Sequence, residues 1–344
     1  MTNDVDRLSS NCLPSASQIL TSNSAHNVPS EPRGLSRRRF LDAALLAAAA
    51  AWLIPCPRLT AYDGIVGVIK NAAATGAITV QPLRGNVSVI LGSGGNIAVL
   101  SGPDGKLLVD AGIAVSQQKI TAALAGISGD PVRHLINTHW HFDHTEGNHW
   151  LHEAGAGIIA HENTRKRLMV RHRVQGWHFT FPAAPKDALP SVVFKKDLVL
   201  HVNGAQLKLD YYEPAHTDSD ISVHFTDADI LHVADTWWNG IYPFIDYSSG
   251  GSIDGAIDAA EANLKRVTDK TIVIPGHGAV GNKADLQEFR DMLVSIREKV
   301  AALKEAGRSL AQTIATKPTA AFDEKWGKFV ITPDAFTELV YQGV

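Results

Sequence analysis

The chain has 344 residues, of which 45% are hydrophobic and 19% are charged, and its formal net charge is −3. This composition is typical of a soluble globular enzyme, and the length could accommodate one large domain or two. No basic run after residue 61 is suited to follow a phosphate backbone, which counts against nucleic acid as a partner.

Residues 1–61 are expected to be an export leader. Residues 1–35 are rich in Ser, Asn and Pro, which indicates disorder. Segment 36–41, Ser-Arg-Arg-Arg-Phe-Leu, resembles a twin-arginine motif, and the Ala-rich apolar stretch 43–54 is too short to cross a bilayer. A basic patch followed by an apolar helix in a cytosolic protein is the alternative. The leader predicts a periplasmic or secreted protein, and Pro55 before Cys56 is unlike a lipoprotein site, so we expect no stable membrane anchor.

Both cysteines, Cys12 and Cys56, fall in this leader, so the mature chain is predicted to contain no disulfide. Residues 62–344 are expected to form a single domain, with a core at about 77–280 and C-terminal helices over 282–344. Strands are predicted at 78–83, 87–91, 97–100 and 106–112. Gly and Asn separate these runs, which indicates an antiparallel meander.

The stretch 137–148 carries the densest set of metal-ligand side chains. The preceding apolar run 131–136 predicts a buried strand. His139 and His141 are two residues apart, so in extended backbone they project from the same face and could bind one metal ion. Asp143 and His144 would lie on the following turn and could reach a second ion. Burying so many polar groups is costly unless a metal satisfies them.

Three further ligand-type residues each follow or end a short apolar run. His216 comes after the run 205–210, Asp235 ends the run 229–235, and His277 follows the run 271–276. With the H-x-H-x-D-H pattern of 139–144, this order resembles the signature of the metallo-β-lactamase superfamily over about residues 77–280.

The resemblance implies an α/β fold, an αββα sandwich with its metal ligands on loops at one rim. It also implies a two-zinc ligand set, in which iron or manganese could replace zinc. His139, His141 and His216 would hold one ion, Asp143, His144 and His277 the other, and Asp235 would bridge the two. Asp110, at the end of the fourth strand, resembles a residue that steadies the metal-binding loop.

The activity implied is hydrolysis of an acyl bond in a small molecule, whether lactone, thioester, ester or β-lactam. A hydroxide shared by the two ions would attack the carbonyl, with Asp143 as the catalytic side chain that orients it. A bridging Asp235 favours the thioesterase and lactonase branches, including glyoxalase II, although those branches often have Gly where this chain has Ser219 or Asp220. A β-lactamase proper, an iron-dependent oxidoreductase and a noncatalytic metal binder are the alternatives.

Aromatic residues near the ligands are candidates for substrate contacts. Trp237, Trp238, Asn239 and Tyr242 closely follow Asp235, and Asn239 or Tyr242 could assist an oxyanion. Trp177 lies in segment 175–190, which is predicted to be a surface loop and is either a substrate lid or a loop packed on the core.

The remaining elements are predicted to be mostly helical. A basic helix is expected over 162–174, an amphipathic helix over 283–306, and a pair of shorter helices after Gly307. The long helix is expected to be a core layer, and a homodimer remains open. His232 is expected to be a hydrogen-bonded core residue and not a ligand.

Overall fold

The computed structural model describes residues 64–344. The predicted leader, with Cys12, Cys56 and the twin-arginine-like segment, therefore lies outside the described residues. In the described part of the chain, no helix is both long enough and apolar enough to span a membrane.

Within residues 64–344 the backbone forms fourteen strands and ten α-helices. The strands are β1 (Thr79–Pro82), β2 (Val87–Leu91), β3 (Ile97–Leu100), β4 (Lys106–Val109), β5 (Val132–Asn137), β6 (Gly157–His161), β7 (His172–Val174), β8 (Phe179–Phe181), β9 (Val192–Phe194), β10 (Asp197–Val202), β11 (Ala205–Tyr211), β12 (Ile221–Phe225), β13 (Ile230–Trp238) and β14 (Ile272–His277). The helices are α1 (Ile65–Thr75), α2 (Gln117–Ile127), α3 (Phe142–Thr145), α4 (Asn148–Glu153), α5 (Glu162–Leu168), α6 (Ile253–Arg266), α7 (Lys283–Glu305), α8 (Leu310–Ala315), α9 (Asp323–Trp326) and α10 (Pro333–Gly343).

Two sheets carry most of the strands. The first has the order β1-β2-β3-β4-β5-β6-β9, and the second has the order β10-β11-β12-β13-β14. Strands β1 to β4 pair antiparallel, which confirms the predicted meander, whereas β4, β5, β6 and β9 pair parallel. In the second sheet only β13 and β14 are parallel to each other.

The hydrophobic core has three layers, one between the two sheets and one between each sheet and the helices that cover it. One apolar cluster joins the facing sides of the two sheets, for example Leu107 and Ile136 with Leu209. A second cluster packs α2 on the outer side of the first sheet through Ile120. The third packs α6, α7 and α10 on the second sheet. The order helix, sheet, sheet, helix confirms the predicted αββα sandwich.

Segment 162–190 differs from its prediction. The basic helix ends at Leu168, and β7 and β8 form a separate hairpin where the sequence predicted first helix and then loop. A short 3₁₀ helix, Lys186–Ala188, follows. The prediction was wrong because two strands of three residues are too short to show a period of two, while the charged positions before them match a helix.

The C-terminal part contains the predicted long helix and three shorter ones instead of two. Leu286, Phe289 and Ile296 of α7 are fully buried, so this helix is a core layer as expected. α8, α9 and α10 follow, and α10 begins with Pro333 after the capping residue Thr332.

Candidate metal centre

The structure brings together all seven residues that the sequence selected as ligands. They fall into two groups in which the ligand atoms lie within 4.8 Å of one another: His139, His141, His216 and Asp235 form one, and Asp143, His144 and His277 the other. The division is the one that the resemblance implies, with Asp235 assigned to the first group.

The carboxyl ends of parallel strands place most of these side chains on one rim. His139 and His141 follow β5, and α3 begins at once, so Asp143 and His144 turn back toward them. β13 and β14 run parallel, which brings Asp235 and His277 to the same rim. Ala234 adopts a positive φ of 47° within a bulge of β13, and this local distortion aims the carboxylate of Asp235.

Asp235 lies between the two groups. Its Oδ2 is 3.3 Å from Nε2 of His216 and 3.3 Å from Nε2 of His277, while its Oδ1 is 3.1 Å from Nε2 of His144. Asp143 Oδ2 is 3.3 Å from the same His277 nitrogen. A carboxylate in this position can share its two oxygens between two cations.

In three of the histidines, the nitrogen turned away from the centre faces a hydrogen-bond acceptor. His144 Nδ1 lies 2.7 Å from Asp110 Oδ2, and His216 Nδ1 lies 2.7 Å from the carbonyl oxygen of Phe244. His139 Nδ1 meets the hydroxyl of Thr138, which itself donates to Asp110. These partners hold a ring proton on the outer nitrogen, so the inner nitrogen of each ring is the one directed at a metal ion.

His141 is oriented the other way round. Its Nε2 lies 3.1 Å from Asp246 Oδ2, so its Nδ1 faces inward and lies 2.9 Å from Nε2 of His216. Burial lowers the pKa of His141, so its ring is neutral, and because Nε2 faces Asp246 the inward Nδ1 carries a lone pair. A metal ion between the two rings could bind the inward nitrogens of both His141 and His216.

Four of the inward-facing ligand atoms are buried without a hydrogen-bond partner, namely His139 Nε2, His144 Nε2, Asp235 Oδ1 and His277 Nε2. Each buried polar group left unsatisfied costs about 1–3 kcal/mol. The concentration of such atoms at one point therefore fits metal ions, which the imidazole and carboxylate donors would hold in the two groups.

The electrostatics differ between the two groups. Burial, reinforced by His144, lowers the pKa of His139 well below its ordinary value. Burial also lowers the pKa of His277, but the carboxylates of Asp235 and Asp143 outweigh it and raise that pKa to about 9. For His144 the same carboxylates, with Asp110, outweigh burial and hold the pKa well above normal.

This difference predicts that only the second group binds its metal in a strongly pH-dependent way. His144 and His277 are protonated in the metal-free protein at pH 7 and must lose two protons when a metal ion binds, whereas His139 and His141 are already neutral. The association constant of the metal ion in the second group should therefore rise by about tenfold per pH unit for each proton displaced, and the contribution of His277 should level off above about pH 9. Calorimetry in buffers of different ionisation enthalpy measures the protons released. Equal release by both ions would contradict the prediction.

Asp246 is a functional residue that the sequence did not reveal. It is 105 positions from His141, and the hydroxyls of Ser248 and Ser249 both donate to it, so its carboxylate is fixed. Donation from His141, with those from the serines, outweighs burial and lowers the pKa of Asp246 far below its ordinary value. No spacing rule links Asp246 to a ligand.

Substituting Asp246→Asn is expected to weaken metal binding by the first group about 10- to 100-fold, because His141 loses the charge that fixes its tautomer. Competition with a chromophoric chelator measures the affinity. Asp269→Asn, on the exposed surface and without an ion pair in the described part of the chain, is the control. An affinity unchanged from wild type would show that His141 is held without Asp246.

Asp110 and His232 lie as expected. The backbone N–H and hydroxyl of Thr138 both donate to Asp110, which ties the metal loop to β4. His232 is buried and lies 3.2 Å from the carbonyl oxygen of Asn96.

Two of the predicted substrate residues lie against the ligands. The ring centroid of Trp177 is 4.7 Å from that of His141, and the centroid of Trp238 is 4.3 Å from that of His277. Segment 175–190 therefore supplies one wall of the site from the β7–β8 hairpin.

The other three residues predicted to contact substrate make structural contacts instead. Trp237 points to the opposite face of β13 from Trp238 and is fully buried in the core. The hydroxyl of Tyr242 lies 2.9 Å from Asp323, and its ring stacks on Phe336. Asn239 donates to the carbonyl oxygens of His277 and Ala279, so it holds the His277 loop.

Comparison with known proteins gives one family. The sequence model of the Metallo-beta-lactamase superfamily matches residues 91–277, more than half of the chain. The hydroxyacylglutathione hydrolase of Polaromonas sp. is 28% identical over 164 residues, which are 47% of this chain and 54% of that protein. The chain thus spans about half the length of this relative.

Solved structures are similar in fold. The DIM-1 metallo-beta-lactamase superposes with a TM-score of 0.51 at 19% identity, over 63% of this chain and 97% of that one. A double mutant of the sec-alkyl sulfatase PisA1 superposes with a TM-score of 0.59 at 15% identity, over 85% of this chain and 54% of that one. At such identities the likeness concerns the fold alone.

Proposed function

Because the chain belongs to the metallo-beta-lactamase superfamily, we propose that it is a dinuclear zinc hydrolase that cleaves an acyl bond of a small molecule. The observation that carries the proposal is the pair of buried ligand groups between which Asp235 lies, with unpartnered donor atoms directed at both. When bound, zinc supplies a water activated near neutral pH and a Lewis acid for a carbonyl oxygen.

The side chains have separate roles in this reaction. Asp143 and His277, each with 7% of the side chain exposed, are the most accessible of the seven, so the substrate approaches from their side. The carboxylate of Asp143 can accept a proton and align the attacking water. Asp235 supplies negative charge between the two groups, and Trp177 and Trp238 exclude bulk water from the two sides.

The comparisons give several candidates for the bond that is cleaved. The similar proteins are named as a hydroxyacylglutathione hydrolase, a metallo-beta-lactamase and a sec-alkyl sulfatase, so the fold alone does not select the substrate. A bridging position for Asp235 favours a thioester or lactone over a β-lactam.

The test is a hydrolysis panel of lactones, thioesters, esters and β-lactams with the zinc-reconstituted protein. Asp143→Ala, which removes a ligand and the proposed water-orienting group, is the blank. We expect at least one class to be hydrolysed by wild type and not by the variant. A protein that binds two zinc ions and hydrolyses none of these classes would contradict the proposal, and iron in the isolated protein would favour an oxidoreductase.

We also propose that segment 36–41 directs export of the folded enzyme to the periplasm. The substitution Arg37→Lys with Arg38→Lys is expected to retain the protein in the cytoplasm at its full mass. Fractionation with an antibody against the enzyme measures this. Normal export of the double variant would contradict the proposal.

A further inference from the structure

An exposed apolar pair lies at the end of α5. Met169 and Val170 follow the last helical residue and are 51% and 53% exposed. Large aliphatic side chains are usually buried, and two consecutive ones on the surface call for a reason. The backbone that presents them is fixed, because Met169 N–H bonds the carbonyl of Arg165, and Ala184 N–H bonds the carbonyl of Leu168.

Basic residues flank this pair in the sequence. Segment 165–173 contains five Lys or Arg residues and no acidic one, in a chain whose net charge is negative. Arg165 bonds the carbonyl of Pro190, Lys166 pairs with Glu162, and Arg167 pairs with Asp218. Arg171 and Arg173 are exposed and have no ion-pair partner within residues 64–344. We call Met169, Val170, Arg171 and Arg173 the Met169 patch.

We propose that the Met169 patch docks reversibly on the surface of an anionic lipid bilayer. Two apolar side chains can enter the boundary between head groups and acyl chains, while the guanidinium groups of Arg171 and Arg173 bind lipid phosphates. The proposal concerns a surface and not the metal centre, so it does not depend on the proposed hydrolase activity.

Other partners fit the patch less well. A nucleic acid offers phosphates but no apolar phase for Met169 and Val170. A stable protein interface needs roughly 1,000 Å² of buried surface, which four residues do not supply. A bilayer requires neither a matching shape nor a large contact area.

Docking would bring the metal centre close to the lipid surface. The patch runs directly into the β7–β8 hairpin, whose Trp177 packs on His141. His172, between Arg171 and Arg173, has a ring nitrogen 3.1 Å from the hydroxyl of Ser249, which donates to Asp246. The segment that contacts the bilayer is thus also the segment that walls the site.

The test is cosedimentation of the full chain with vesicles of phosphatidylcholine alone and of phosphatidylcholine with an equal share of phosphatidylglycerol. We expect binding to the anionic vesicles that decreases at high salt. Arg171→Gln with Arg173→Gln should lower the partition coefficient about 25-fold, since each charge near the surface contributes about fivefold. Met169→Ser with Val170→Ser should lower it further at high salt, where the apolar contribution dominates.

Matched controls separate the patch from general surface effects. Arg308→Gln with Lys328→Gln removes two exposed charges elsewhere, and Val115→Ser removes an aliphatic side chain that is 51% exposed. Both should bind as wild type does, and all variants should keep the thermal unfolding midpoint of the wild type. Binding that is equal for all variants would show that it does not depend on the Met169 patch and would overturn the proposal. Equal binding to both kinds of vesicle, or retention by an oligonucleotide or an acidic protein without vesicle binding, would also overturn it.

Discussion

Replacing Asp235 by Asn is expected to abolish most of the activity, lowering kcat/KM by at least about 10³-fold, or about 4 kcal/mol. The carboxylate lies within 3.3 Å of His144, His216 and His277, and within residues 64–344 no other carboxylate forms an ion pair with histidines of both ligand groups. An amide of the same shape keeps the packing but loses the charge and one acceptor oxygen. The variant should bind fewer than two zinc ions, as measured by elemental analysis after gel filtration.

The same substitution has an independent signature. Asp235 is the leading cause that raises the pKa values of His144 and His277 against burial, so both values should fall in the variant. Fewer protons would then be displaced at pH 7 when metal is added, which calorimetry can measure. Asp269→Asn is the matched control and should leave activity and zinc content unchanged. A variant at Asp235 that retains two zinc ions and kcat/KM within about tenfold of wild type would show that the carboxylate does not bridge the groups.

The candidate ligands could be predicted from the sequence because each one follows or lies in a short apolar run. His139 lies two residues after β5, His277 ends β14, and the spacing from His139 to His144 is local. A local pattern is a property of the sequence itself, so it can be read without knowing the tertiary contacts. The antiparallel meander was predictable for the same reason.

Contacts between residues that are far apart in the chain could not be predicted from the sequence. The bond from Asp246 to His141 joins residues 105 positions apart, and the positive φ of Ala234 depends on a bulge in the pairing of β13 with β14. That bulge also decides that Trp238, and not Trp237, packs on a ligand. Alternation predicts that neighbouring residues point to opposite faces, but the bulge fixes which face each one takes.

Two glycines are also parts of the metal centre, although neither has a side chain that could bind anything. A Cβ on Gly276 would lie 1.9 Å from Oδ1 of Asp235, and a Cβ on Gly95 would lie 2.1 Å from Cε1 of His144. The two backbones are joined, because Asn96 N–H bonds the carbonyl of Gly276. The ligands thus occupy the space that side chains at these positions would fill.

Gly276→Ala and Gly95→Ala are therefore each expected to displace one ligand and to weaken zinc binding by at least about 100-fold. The overpacking should also lower the free energy of unfolding of the metal-free protein by about 1–3 kcal/mol. Both quantities can be measured on one preparation, by chelator competition and by denaturant unfolding. Neither glycine has a positive φ, so a loss of stability would come from the steric conflict and not from backbone strain.

Gly126→Ala is the control because it makes the same chemical change in a different environment. Gly126 is exposed on α2 and has no atom within 4 Å of the position of an added Cβ. Alanine in a helix should stabilise the protein by about 0.5–1 kcal/mol and leave zinc binding unchanged. The predicted effects on stability thus have opposite signs at Gly276 and at Gly126. Wild-type zinc affinity in Gly276→Ala would mean that Asp235 can move aside and still bind, and that the close approach of β14 does not fix the ligand.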